Sequence, residues 1–176
     1  MIMTKEQAKA ILDKALSYSK SDECEVNLNG SITGNVRYAL NTVTTAGVTE
    51  DTTLVVQSAF GKKTGTATLN QFDDASIERA VRTSEELARL SPESEEYMPI
   101  LGPQEYLEGK GFVQATADMT PEMRAQAAAN SIVPSREKGL TAAGFLNDNV
   151  SFQAMANSKG LFAYYPSTGV RQCKRG

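Results

Sequence analysis

Apolar residues recur at helical spacing near the start of the chain and then switch to a spacing of two, and the switch predicts where helix gives way to strand. Ala8, Ile11, Leu12, Ala15 and Leu16 form one apolar stripe. Ahead of it, Thr4-x-x-Gln7 has the spacing of a capping box, in which the Thr hydroxyl and the Gln side chain satisfy backbone donors of the first turn. A helix over residues 5–18 is expected. From Cys24 the pattern alternates: Cys24, Val26 and Leu28 point one way and Glu23, Glu25, Asn27 and Asn29 the other, which predicts a half-buried strand. Gly30 and Gly34 flank a turn signal, and the segments 35–39, 43–48, 52–60 and 64–69 read as further short strands, the last two joined by a hairpin at Gly61-Lys62-Lys63. Asp73 or Asp74 then caps a second helix, with Ile77, Ala80, Val81, Ser84, Leu87, Ala88 and Leu90 facing the sheet and Ser91-Pro92 ending it.

The stretch from Pro92 to Pro103 carries three prolines, three glutamates and little periodicity, so a linker or extended surface crossing is expected. Thr120-Pro121 is a helix-start signal ahead of an alanine-rich run. Pro134 removes a backbone donor, which predicts a kink or two short helices, and Gly139 supplies the stop. Extended segments follow over 140–146, 150–156 and 161–165, separated by turns at Asn147-Asp148-Asn149 and at Asn157-Ser158-Lys159-Gly160. The expected fold class is α+β: an antiparallel meander of about five strands packed with two helices, followed by a helix and a second antiparallel meander. The expected divisions are an N-terminal α+β domain over 1–91, a linker or extended crossing over 92–119, the start of a second α+β unit over 120–169, and a tail over 170–176 that no longer alternates.

Composition narrows the chemistry. The 176 residues are 40% hydrophobic and 22% charged with net charge -3, which suits a globular protein and leaves no basic field for nucleic acid. No apolar run approaches the roughly 20 residues that span a bilayer, and the charges within the first fifteen residues break any secretory signal, so no membrane partner and a cytoplasmic address are expected. Cys24 and Cys173 lie near opposite ends and are read as free thiols. The chain has no histidine, which excludes Ser/His and Cys/His catalytic pairs and His metal ligands, and two cysteines cannot make a four-thiolate zinc site. No catalytic, cofactor-binding or metal-binding residue is assigned. Gly61-Lys62-Lys63-Thr64-Gly65 lacks the first glycine of a phosphate loop, because Val56 stands there, and reads as a turn. Tyr164 and Tyr165, at a strand end, read as packing or interface residues. Glu93, Glu95 and Glu96 read as a solvated linker, and Arg171, Lys174 and Arg175 as a short basic tail.

The order of the segments resembles the N-terminal region of the TldD/PmbA family, also called modulators of DNA gyrase. The likeness runs over residues 5–169 through Ala8-Lys9-Ala10-Ile11-Leu12, Cys24-Glu25-Val26, Gly47-Val48-Thr49-Glu50 leading into Thr53-Leu54-Val55-Val56, Gly65-Thr66-Ala67, Ser76-Ile77-Glu78-Arg79-Ala80-Val81, Gly139-Leu140-Thr141-Ala142-Ala143-Gly144 and Ala156-Asn157-Ser158-Lys159-Gly160. The resemblance implies a substrate-lining, dimer-forming scaffold that meets extended peptide, while zinc is bound in a C-terminal region by an H-E-x-x-x-H helix and a later cysteine. One of the two paralogue types of the family lacks that motif. Neither the motif nor the cysteine has a counterpart here, and Cys173 is not equated with that ligand. The chain by itself is therefore expected to be inactive as a zinc peptidase, and its non-alternating end reads as a truncated or frameshifted product. Expected partners are an extended peptide and a homo- or hetero-dimer mate. The alternatives are a non-enzymatic interaction module, pairing through a sheet edge of the second meander or through the Tyr164 and Tyr165 surface, and a degenerate fragment.

Overall fold

The computed structural model describes residues 2–107 and 109–175. Helix α1 spans Lys5–Tyr18, and its capping box is formed: Gln7 N–H donates to the Thr4 hydroxyl and Thr4 N–H donates to Gln7 Oε1. Strands β1 (Glu23–Ala39), β2 (Thr42–Phe60) and β3 (Lys63–Leu69) follow as an antiparallel meander. Next come helices α2 (Asp74–Leu90), α3 (Gln114–Ala117) and α4 (Pro121–Glu137), then strands β4 (Ala143–Asn157) and β5 (Phe162–Arg175). The five strands form a single sheet in the order β3-β2-β1-β4-β5, antiparallel at every junction. The α+β class and antiparallel sheet agree with the pattern read from the chain. The second meander, however, builds no sheet of its own: β4 pairs with β1 from Glu25 to Tyr38, so hydrogen bonding is continuous from the first segment into the last.

The strands are fewer and longer than alternation and turn signals suggest. Gly30 and Gly34 do not turn the chain; both lie inside β1 on the side that faces the helices. A Cβ at Gly30 would come within 2.3 Å of the Phe152 ring, and one at Gly34 within 2.1 Å of the Arg124 guanidinium. These glycines make room for neighbours, the other common reason for glycine in a strand. Asn147-Asp148-Asn149 also runs straight through β4, because Asp148 and Asn149 find partners above the sheet and across it, although the Asn147 Oδ1 is buried without one. Asp148 accepts from Arg124, and Asn149 donates to Thr33 Oγ1 at 2.8 Å. The expected tail belongs to β5, where Val170 to Arg175 pair with Asp148 to Ala143. Ladder hydrogen bonds do not require alternation when a strand lies at an edge with both faces wet.

The hairpin turns at Gly61 (φ 57°) and Gly160 (φ 88°) fall where glycine and asparagine signals place them. The tip between β1 and β2 carries positive φ at Leu40 and Asn41 without a glycine. It is held by Asn41, whose Nδ2 donates to the Leu140 carbonyl and whose Oδ1 accepts from Ala142 N–H. Helix α4 passes through Pro134 to Glu137 as one element. Pro134 sits in the last turn, where only one intrahelical bond is lost, and the Ser135 hydroxyl donates to the Ser131 carbonyl at 2.9 Å.

All even-numbered residues of β1 face the helices. Over its first half, Cys24, Val26 and Leu28 join Leu54, Val56, Phe152, Ala154 and Ala156 beneath Ala8 and Leu12 of α1 and Ile77 and Val81 of α2. Over its second half, Val36 and Tyr38 join Leu146 beneath Ala128 and Ile132 of α4. Fully burying one such aliphatic side chain contributes about 1.5–3 kcal/mol, so these two clusters dominate the stability of the fold. On α2 the buried stripe is Ile77, Ala80, Val81, Ser84, Glu85 and Ala88, whereas Leu87 and Leu90, expected to face the sheet, are exposed. The stripe instead accommodates the Glu85 carboxylate, which is buried because Lys20 N–H and Arg82 Nη1 donate to it.

Helix α2 sits very close to β3 at Gly65, where an added Cβ would lie 2.2 Å from the Ala88 nitrogen and 2.3 Å from the Ser84 carbonyl oxygen. Backbone atoms cannot rotate away, so Gly65→Ala is expected to cost about 3 kcal/mol, the upper end for overpacking. Urea unfolding checks this against Gly47→Ala, whose Cβ meets nothing within 4 Å and which is expected to stay within about 0.5 kcal/mol of the parent. Equal midpoints for the two variants would contradict the packing described.

Candidate functional site

Odd-numbered residues of β1 point away from the helices, and with their neighbours they make a face of amides and hydroxyls. In register across the sheet stand Thr53, Asn29, Gln153 and Tyr165, then Asp51, Ser31, Ser151 and Ser167, then Thr49, Thr33, Asn149 and Gly169. Ser151 and Ser167 share a hydrogen bond of 2.9 Å.

Residues 92–107 and 109–113 form a strap across this face. At the β3 side, Ser94 N–H donates to the Lys62 carbonyl. Midway, the strap closes on Glu23 of β1: Tyr97 donates its hydroxyl hydrogen bond to Glu23 Oε2, and Ile100 N–H donates to the same oxygen at 3.0 Å. Lys159, in the β4–β5 turn, lies 2.5 Å from Glu23 Oε1 and also donates to the Ile100 carbonyl, while Asn157 Nδ2 donates to the Leu101 carbonyl at 2.8 Å. At the far side, Thr168 N–H donates to the Gly111 carbonyl, and Val113 N–H to the Thr168 hydroxyl. The Tyr165 ring lies against Gly109 and Gly111, where any Cβ would come within 2.2 Å of it. The strap is thus fastened at both ends and in the middle.

Between the strap and the sheet, beside β5, lies a cleft of about 820 Å³. Asn27, Asn29 and Gln153 line its sheet side, and Tyr106, Tyr165 and Lys110 its walls. Side-chain amides both donate and accept, which matches the alternating donors and acceptors of an extended polypeptide backbone. The tyrosines add broad apolar contact with a polar tip. Tyr164, the other aromatic residue singled out in the sequence, faces the helix side. It stacks on Phe152 at a centroid distance of 5.9 Å and donates to the Met3 carbonyl.

The donor set does not fit zinc. The chain has no histidine, and no group of three or more Cys, Asp or Glu side chains gathers to hold a metal among the described residues. Cys24 is buried and Cys173 exposed, both as free thiols. Burial pushes the Cys24 thiol above its ordinary pKa, which makes it a packing residue rather than a nucleophile. Sequence reading named none of Asn29, Gln153, Arg124 or Asp148 as a site residue. Arg124 did carry a signal, since it stands at i, i+4, i+8 with Ala128 and Ile132 on the buried stripe of α4, where an unpaired guanidinium would be untenable.

The Glu23 clasp ties the strap to pH. Burial by itself would raise the Glu23 carboxyl, but hydrogen bonds from Lys159, Tyr97 and Ile100 N–H outweigh it and hold the pKa at about 2, below the ordinary 4.5. The folded pKa is depressed, so the stabilisation is full above 4.5 and is lost as pH falls from there through about 2. Tyr97 moves the other way, up to about 12, from burial and its bond to the carboxylate. Amide hydrogen exchange is expected to show Ile100 losing protection across that acid window, and Glu23→Gln is expected to flatten the dependence. An Ile100 amide indifferent to both would contradict the clasp.

Three solved structures share this fold. TldE from Thermococcus kodakarensis matches with a TM-score of 0.81 at 17% identity, over 93% of this chain and 37% of that one. A protein assigned as a modulator of DNA gyrase from Thermotoga maritima gives 0.77 at 13% identity, over 94% of this chain and 42% of that one. Another so assigned, from Bacteroides thetaiotaomicron, gives 0.79 at 15% identity, over 98% and 41%. The chain therefore spans about two fifths of the length of these relatives. No curated protein matches the sequence. Among the described residues, no helix is long and apolar enough to cross a membrane. Residues 24–88, covering β1 through most of α2, match the sequence model of the PmbA/TldA metallopeptidase domain 1, and this match together with the shared fold supports a TldD/PmbA-type N-terminal domain.

Proposed function

We propose that this chain is a substrate-lining and dimerising scaffold of a TldD/PmbA-type metallopeptidase, and that it holds an extended peptide while residues outside it carry out hydrolysis. The observation that carries the reading is the cleft beside β5, with Asn29 and Gln153 side by side in register and Tyr106 and Tyr165 as walls. Amide groups in a row recognise backbone rather than side chains, the chemistry a sequence-tolerant peptide site needs. Strand addition to β5 itself is confined to its ends. Pro166 lacks an N–H, and Thr168 N–H is already bonded to Gly111, so the middle of that edge is closed.

The dimer half of the proposal rests on the other edge. Strand β3 pairs only with Leu54 to Phe60 of β2, which leaves Thr42 to Thr53 without a partner on its outer side among the described residues. That stretch contains neither lysine nor proline, the usual means of blunting an edge. It is rich in Thr and Val, which suits pairing with a strand of a second subunit. The same edge would serve a non-enzymatic interaction module.

Titrating the chain with a labelled, unstructured peptide is expected to give saturable binding, weakened roughly ten- to hundredfold by the double change Asn29→Ala with Gln153→Ala through loss of two side-chain hydrogen bonds. Unaltered binding in that variant would remove the cleft from the proposal. Stoichiometric zinc or robust peptide cleavage by this polypeptide alone would overturn the assignment of hydrolysis elsewhere. Sedimentation or light scattering is expected to show a dimer, and a strict monomer at micromolar concentration would remove the dimer half.

A further inference from the structure

A second cleft, of about 710 Å³, opens on the helix side of the sheet, in the gap that α1 and α4 leave between them. Its floor is Ile32, Val48 and Val150, and Phe112 and Met119 line its wall. Ile32 and Val150 are only half-buried and Val48 is 57% exposed, so a patch of aliphatic surface on the sheet stays uncovered there.

Arg124 and Asp148 border this apolar space, with side chains only 5% and 7% exposed. Arg124 Nη1 donates to both Asp148 oxygens, at 2.7 and 3.0 Å, and reaches toward the Met119 carbonyl at 3.5 Å. One nitrogen thus makes every bond of the guanidinium. Nη2 and Nε donate to nothing among the described residues, although the ordinary fork would engage a carboxylate with two nitrogens. Neither atom is among the fully buried groups left without a partner, so both stay open to the cleft, where a ligand acceptor can bond them. The pair is neutral overall, and its Asp148 carboxylate borders the cleft. An anionic ligand head would be repelled by that carboxylate, whereas an uncharged carbonyl would not.

We propose that this cleft is a subsite for an aliphatic peptide residue, its side chain resting on Ile32, Val48 and Val150 and its main-chain carbonyl accepting from the free N–H groups of Arg124. The inference rests on the peptide-binding reading and adds to it the class of residue selected. The two clefts share Lys5, Tyr164 and Pro166 and so adjoin across β5, which lets one peptide reach both.

Methyl and side-chain amide NMR of the full chain tests it, with N-acetyl-leucine N-methylamide as probe and N-acetylleucine, its carboxylate counterpart, as comparison. The expected result is saturable shifts of the Ile32, Val48 and Val150 methyls with the neutral probe, and binding of the carboxylate weaker by roughly tenfold or more. Arg124→Lys keeps a cation opposite Asp148 but loses the planar donors, and is expected to weaken the neutral probe roughly tenfold. Val48→Lys, at an exposed position, is expected to fold normally and abolish the shifts at Ile32 and Val150 while leaving those of a long peptide at Asn29 and Gln153. No methyl shift, or equal affinity for the two probes, would overturn the subsite. Shifts confined to Asn27, Asn29 and Gln153 would do so while sparing the peptide-binding proposal.

Discussion

The unbroken run of β1 is the constraint on which the remainder of the fold depends. It pairs with β2 from Glu23 to Ala39 and with β4 from Glu25 to Tyr38, so both halves of the sheet hang from it. Side chains alternate along a strand, and the uninterrupted run of β1, in one register with β4 and shifting against β2 only between Arg37 and Tyr38, puts Cys24, Val26, Leu28, Val36 and Tyr38 on a single side. A turn or an extra residue at Gly30 or Gly34 would invert the second group relative to the first. Helix α4 would then meet the polar face, and the two core clusters could not lie under helices on the same side.

The same alternation generates the polar face. With the helices on one side, the other is left largely to Asn, Ser, Thr and Gln, and among the described residues only the strap over 92–107 and 109–113 crosses it. A strap without secondary structure needs separate fastenings, because its own backbone satisfies few of its hydrogen bonds. Glu23 supplies the central one by accepting from Tyr97, Ile100 and Lys159 together. The clasp and the two ends hold the walls of the polar cleft where the amides of β1 and β4 can be reached.

On the helix side, the packing of α1 and α4 over opposite ends of β1 leaves a central gap, and Gly34 lets the Arg124 guanidinium lie flat on the strand there. Burial of an arginine is tolerated only with a partner, which Asp148 provides from the neighbouring strand. That ion pair explains both the glycine and the acid, two residues whose local signal is a turn.

Local chemistry settled the helix starts and the tight turns from sequence alone. Thr4 with Gln7, Asp73, Thr120 with Pro121, Gly61 and Gly160 act on atoms within a few residues, so their effect does not wait for the fold. The α+β class and the separation of a greasy and a polar face were equally legible, because alternation reports them directly. The length of β1 and β4, the joining of the two meanders into one sheet, and the residues of both clefts were decided by tertiary structure. Gly30, Gly34 and Asp148 look like turn formers until Phe152 and Arg124 arrive from distant segments, and Asn29 meets Gln153 only through pairing across more than a hundred residues. Sequence records what a residue can do with its neighbours along the chain, and the partners that decided these positions are neighbours only in space.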